Sequence, residues 1–132
     1  PEADYFTPGS VGFLTNREDA ALFNATARLN RTGIRLEGSP VVFREDVEKS
    51  IISEGILPGT IQVPPDGFPI ISLTERTIGG YARLALTASV DMDRLAHVKP
   101  RDRVILHAID IEEAERLWMA RRDAVSFYCK KQ

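Results

Sequence analysis

The residues most able to do chemistry lie around Gly79-Gly80, preceded by Glu75, Arg76 and Thr77 and followed by Tyr81. Two adjacent glycines can take positive φ and let a ligand approach the main chain, and the flanking charge and hydroxyl suit a ligand with carboxylate or carbonyl oxygens. A hairpin or bulge glycine pair reads the same way, so both readings stay open. Arg31 and Arg35 stand four residues apart, which on an extended strand places both on one face. They are either a solvated surface balanced by Glu37 or a pair of guanidinium forks for an anion. Glu54, before Gly55, and Gln62 add an acid and an amide beside turns. Ser72, His107 and an aspartate could be drawn as a triad, but the chain has no G-x-S-x-G elbow. His97 and His107 lack a second ligand at metal-binding spacing, so no metal site is expected. Cys129 is the single cysteine, which excludes an intramolecular disulfide, and nothing around it sets up a low thiolate pKa.

Composition narrows the function classes. The chain has 132 residues, 17 Lys plus Arg against 19 Asp plus Glu, and a net charge of −2. With 43% apolar residues it can build one core, and one domain over residues 1–132 is expected. The charges are scattered, which argues against nucleic acid as a partner. No run approaches the roughly 18 apolar residues of a bilayer span, and Pro1-Glu2-Ala3-Asp4 lacks the character of a signal peptide, so no membrane partner and a cytoplasmic location are expected.

The elements that must position these residues are mostly short and β-rich. Thr7 and Pro8 open a helical turn as N-cap and first residue. Leu22 to Leu29 reads as strand or helix end, whereas Gly33 to Gly38 alternates cleanly as a strand. Val41-Val42-Phe43, Ser50 to Ser53 and Thr60 to Val63 are further strand runs. Residues 60 to 73 form a hairpin around Pro64-Pro65-Asp66-Gly67, with Pro69 near its edge, and Tyr81 to Val90 supplies another strand. Asp91 caps a short helix over Met92 to His97, stapled by Val90 and Leu95 and stopped at Lys99-Pro100. Arg103 to Ile109 alternates again. Asp110, with Glu113 as capping-box acid, then opens a final helix whose stripe of Ile111, Ala114, Leu117, Trp118, Val125 and Tyr128 should bury Trp118, with Glu112 and Arg116 paired outside. Many short strands and two capped helices predict a mainly β fold, a small β-barrel with helices packed on it.

Taken in order, Arg31-Thr32-Gly33-Ile34-Arg35-Leu36-Glu37-Gly38, then Ser53 through Gly67, then Thr77-Ile78-Gly79-Gly80-Tyr81 resemble the allophanate hydrolase subunit 2 family. That family, also called KipA, includes the C subunit of 5-oxoprolinase and is the biotin-dependent carboxyltransferase domain of the urea carboxylase type. The opening Pro1 to Phe6, Arg94-Leu95-Ala96 and Asp102-Arg103-Val104 also fit, so the resemblance covers nearly all of the chain. It departs from pattern at Arg76, where the family carries Gln, and at Ala82, where it carries Pro.

The resemblance implies a cyclophilin-like β-barrel with two or three short helices, matching the second, C-terminal barrel of a domain that normally has two, with the ligand groove between them. It implies part of a biotin-dependent carboxyltransferase that moves a carboxyl group from carboxybiotin, held on a separate carrier, to a small amide-like compound in urea, allophanate or 5-oxoproline metabolism. The groove is expected to be lined by Arg31, Arg35, Glu54, Gln62, Thr77, Gly79, Gly80 and Tyr81. Implied partners are the N-terminal barrel and a subunit 1, KipI-like protein, with self-association through the uncovered face; the isolated chain is expected to be inactive. The alternative is a KipA-type regulatory protein that sequesters a kinase inhibitor. A prolyl isomerase, suggested by the barrel alone, has no motif to support it.

Overall fold

A computed structural model describes residues 2–15, 21–73 and 76–131. Helix α1 (Pro8–Thr15) is followed by strands β1 (Ala21–Asn30), β2 (Gly33–Gly38), β3 (Ser50–Ile56), β4 (Thr60–Val63), β5 (Ile70–Ser72) and β6 (Arg76–Leu86). A short helix α2 (Met92–Leu95), strand β7 (Arg103–Leu106) and helix α3 (Ile111–Lys131) complete the order. The strands form one antiparallel, barrel-like sheet in the order β3-β6-β4-β5-β2-β1-β7.

Alternation along the strands builds the core. Phe23 faces Val104, Ala25 faces Leu36, Ile34 faces Ile71, Ile71 also faces Ile61, and Val63 faces Ala82. All of these side chains are buried, so one continuous apolar face runs across β7, β1, β2, β5, β4 and β6. Burying each large aliphatic or aromatic member contributes about 1.5–3 kcal/mol against leaving it in water. Phe6, Leu14, Val41, Phe43 and Leu95 close the same core from outside the sheet, and the Phe6 and Phe43 rings lie 4.8 Å apart.

Turn chemistry holds the register. Gly59 (φ +86°) follows Pro58 in a turn closed by the Thr60 amide on the Leu57 carbonyl at 3.1 Å. Gly67 (φ +83°) ends the Pro64 turn, and the hairpin it serves pairs Ile61 with Ile71 and Gln62 with Ile70, as the sequence predicts. The N-terminal cap also forms as expected: Thr7 Oγ1 accepts the Ser10 amide at 3.4 Å. Asp110 likewise accepts the Glu113 amide at 2.7 Å.

Several elements differ from the sequence reading. Leu22 to Leu29 is strand, not helix end. Val41-Val42-Phe43 makes only an isolated bridge from Phe43 to Phe6 among the described residues, because its other groups serve the start of α1 and the hairpin turn: the Thr7 amide donates to the Val42 carbonyl, the Val42 amide to Ser10 Oγ and the Val41 amide to the Gly67 carbonyl. The strand expected over Tyr81 to Val90 begins at Arg76 and ends at Leu86, since its first half pairs with β3. Asp91 does not cap α2; a 3-10 turn over Ser89–Asp91 leads into it, and the carboxylate pairs with Arg94 at 3.1 Å.

The final helix is the largest departure. It runs 21 residues, in keeping with a stripe from Ile111 to Tyr128, but Trp118 is 46% exposed rather than buried. Among the described residues, the helix meets the body chiefly at the Ser89–Asp91 turn and Asp93, where Arg121 donates to the Val90 carbonyl at 2.7 Å and pairs with Asp93, which leaves Trp118 only partly covered. Arg116 pairs with Glu113 at 3.7 Å, not with Glu112. Among the described residues, no helix is long and apolar enough to cross a membrane.

Candidate functional site

The face of the sheet opposite the core carries the polar residues. Arg35 on β2 faces Ile70 on β5, Ile70 faces Gln62 on β4, and Gln62 faces Arg83 on β6. This row is displaced by one residue from the core row, as strand alternation requires. Arg35, Ile70 and Gln62 of this row line a depression of about 570 Å³.

Gln62 is the fixed point of this floor. It is only 5% exposed, and its amide nitrogen donates to the Tyr81 carbonyl at 3.2 Å. Its carbonyl oxygen has no hydrogen-bond partner among the described residues, and the side chain lines the depression. Gly79 is required beside it for space. A Cβ there would overlap Ile56 Cδ1 and come within 2.5 Å of Gln62 Nε2. At Gly80 a Cβ would lie 3.2 Å from Ser53 Oγ. Neither glycine has positive φ, and both lie inside β6 rather than in a turn, so the expectation of a strained loop is corrected: these are packing glycines under the crossing of β3.

The cationic wall belongs to β1 and β2. Ala25 faces Leu36 and Leu29 faces Ile34, so Thr26, Ala27 and Arg28 together oppose Arg35 alone. Arg28, within this bulge, lines the same depression as Arg35. Arg35 pairs with Asp66, whose other oxygen accepts the Phe68 amide at 3.1 Å. The counter-ion is therefore the hairpin aspartate and not Glu37. Arg31 does not share Arg35's face, because it sits in the β1–β2 turn, where strand alternation no longer applies. That turn is held by Asn30, whose Oδ1 accepts the Thr32 amide (2.8 Å), the Thr32 hydroxyl (2.6 Å) and the Gly33 amide (3.2 Å).

Of the residues expected from the sequence, Arg35, Gln62, Gly79, Gly80 and Tyr81 line the depression. Arg31 and Glu54 do not. Glu54 faces Gly79 across the strands and pairs with Arg83 at 3.3 Å. Thr77 lies in β6, and Glu75 falls outside the described residues. The sequence reading missed Arg28, Asn30, Ile56 and Ile70. Reading Ala21 to Asn30 as a strand would have brought Asn30 to the site, whereas Arg28 is set by the bulge before Leu29, which no glycine or proline announces.

Arg83 borders the site and is neutralised. Its guanidinium holds Glu2 at 2.5 Å through Nη2, and its amide donates to Glu2 Oε2 at 2.7 Å. The hydrogen bond from Arg83 holds the Glu2 carboxyl below the usual carboxylate range, and the same bond raises Arg83. No three His, Cys, Asp or Glu side chains converge among the described residues. What remains is a floor with an amide carbonyl, apolar sides at Ile56 and Ile70, and one cationic wall. This suits a small flat polar molecule with negative charge.

Comparison with known proteins adds the family. Residues 1–108 match the model of the carboxyltransferase domain, subdomain A and B. The chain is 32% identical over 104 residues to the C subunit of 5-oxoprolinase from Escherichia coli, covering 78% of this chain and 32% of that protein. The same-named protein of Haemophilus influenzae is 33% identical over 89 residues, covering 67% and 28%. The chain thus spans about a third of the length of these relatives. The crystal structure of the Kluyveromyces lactis urea carboxylase superposes with a TM-score of 0.80 at 19% identity, covering 95% of this chain and 12% of that one, which shows the shared fold. A family match over residues 1–108, together with curated relatives at this identity, shows that the chain belongs to the carboxyltransferase domain, subdomain A and B family.

Proposed function

We propose that the chain is one barrel of a biotin-dependent carboxyltransferase acting on a small amide-like compound, and that the depression over β2, β4, β5 and β6 is its share of the active groove. Support comes from the family and from relatives named as the 5-oxoprolinase C subunit and urea carboxylase. In this reading it corresponds to the second of two barrels and works beside the first barrel and a subunit 1, KipI-like protein.

The observation that carries the reading is Gln62, which lines the depression and is held by the Tyr81 carbonyl, with no partner for its own carbonyl oxygen among the described residues. The residues present fit a ureido ring: an amide oxygen for ring N–H groups, Ile56 and Ile70 for the apolar body, and Gly79 and Gly80 where a side chain would fill the space. When bound, carboxybiotin supplies the carboxyl group that is transferred. This chain's part is to orient and to stabilise charge. Gln62 fixes the plane of the bound molecule, and Arg35, itself steadied by Asp66, stabilises negative charge developing on a ureido or carboxyl oxygen.

The test is a titration of biotin methyl ester into the isotope-labelled chain, followed by amide shifts. Movement of the Gly79, Gly80 and Gln62 signals that is lost in Gln62→Leu supports the site. Shifts confined to other strands refute it.

A further inference from the structure

We propose that Arg28 is the anion anchor of this depression and that it selects a molecule bearing a single carboxylate on a small planar amide body. The proposal rests on the depression being the ligand site and adds the residue and the charge that decide what enters it.

The argument begins with the arginines. Arg83 is covered by Glu2 and Glu54, and Arg35 by Asp66. Arg31 is exposed in its turn and lies outside the depression. Arg28 lines the depression and has no carboxylate partner among the described residues. Both arginines line the depression and Asp66 balances Arg35, which leaves the Arg28 charge for one carboxylate. A dianion would be over-charged there, and a neutral molecule would leave the Arg28 fork unused.

The backbone sets the position of Arg28. The bulge over Thr26, Ala27 and Arg28 departs from regular pairing, and the Arg28 amide turns back to Thr26 Oγ1 at 3.2 Å instead of joining the ladder to β2. Bulges of this kind re-aim a side chain at the cost of ladder bonds. Asn30 supports the same end of the site. Three donors converge on its Oδ1, which fixes the amide orientation of a residue that lines the depression. A carboxylate held by Arg28 and Asn30 keeps its amide body within the same depression as Gln62.

The probes are N-carbamoylglycine, which carries a ureido group and one carboxylate, and its neutral methyl ester. Both are titrated by calorimetry and by amide shifts into wild type, Arg28→Gln, Arg28→Lys and Arg31→Gln, with unfolding midpoints measured for each. The acid is expected to move the Gly79 and Gly80 amides of wild type, to weaken about tenfold or more in Arg28→Gln, and to recover part of that in Arg28→Lys. Arg31→Gln should bind like wild type, and the ester should not distinguish wild type from Arg28→Gln. Equal acid affinity in wild type and Arg28→Gln, with shifts still in the depression, overturns the anchor and leaves the site reading standing. Equal weakening of acid and ester, or equal weakening in Arg31→Gln, also overturns it. Failure of the acid to move any depression amide removes both the anchor and the site.

Discussion

Glu2 and Arg83 hold each other by side chain and main chain together: the carboxylate takes the guanidinium at 2.5 Å and the Arg83 amide at 2.7 Å, while the Glu2 amide donates to the Arg83 carbonyl at 2.7 Å. The 3-10 turn over Ala3–Tyr5, and with it buried Phe6, is thereby tied to β6. Because the folded-state pKa of Glu2 is lowered, its contribution is full above the ordinary value of 4.5 and is lost as pH falls through the folded value. Glu2→Gln should cost about 1 to 2 kcal/mol at neutral pH, between an exposed pair and a buried charged hydrogen bond. Denaturant melts at pH 7 and pH 3 check this: the gap between wild type and variant should narrow at the lower pH.

Gly79→Ala should destabilise the chain by roughly 1–3 kcal/mol, because the added methyl meets Ile56 and Gln62 together. Gly80→Ala should cost less, since Ser53 Oγ alone must give way by a few tenths of an ångström. Urea midpoints order the two variants, and loss of the protected Gln62 side-chain amide signal in Gly79→Ala would trace the damage to the Tyr81 bond.

Arg101 holds φ at +74°, the left-handed region, in the turn between α2 and β7. Its amide donates to the Ala25 carbonyl at 2.7 Å, which fixes the conformation despite a cost of about 1–2 kcal/mol for an ordinary residue. Arg101→Gly should therefore be neutral or stabilising by up to about 1 kcal/mol, whereas Arg101→Val should destabilise by a similar amount. Thermal midpoints of the pair check the sign.

Trp118→Ala should cost only about 1 kcal/mol, well below a core tryptophan, because the ring is nearly half exposed and is covered chiefly by Arg122, 5.2 Å from its centroid. Its fluorescence should report a wet environment, and a change below the main transition would report the separate melting of α3.

The legible parts of the fold are those where local chemistry and global packing agree. Pro58-Gly59 and Asp66-Gly67 demand their turns, and the alternation of Gly33 to Gly38 places Ile34 and Leu36 inward, so the hairpin and β2 can be read directly. The last helix can be started from Asp110 but not docked, since an amphipathic stripe gives no sign of how much surface it meets. For the site, Arg35 and Gln62 follow from strand alternation. Arg28 does not, because its place depends on a bulge with no glycine or proline to announce it. The glycine pair is legible as residues but not as conformation: its need is for volume against Ile56, a side chain more than twenty positions away, which no local pattern carries.

The thin attachment of α3 governs how the molecule opens. Among the described residues, every member of the main apolar cluster precedes Ile111, and the ties of the helix to the body gather at one turn and one salt bridge. Two cooperative units with separate free energies follow, a barrel whose interior amides exchange only on global unfolding and a helix that can detach and melt by itself. An insertion or fusion placed between Leu106 and Ile111 would then alter the smaller unit while the larger retains its melting temperature.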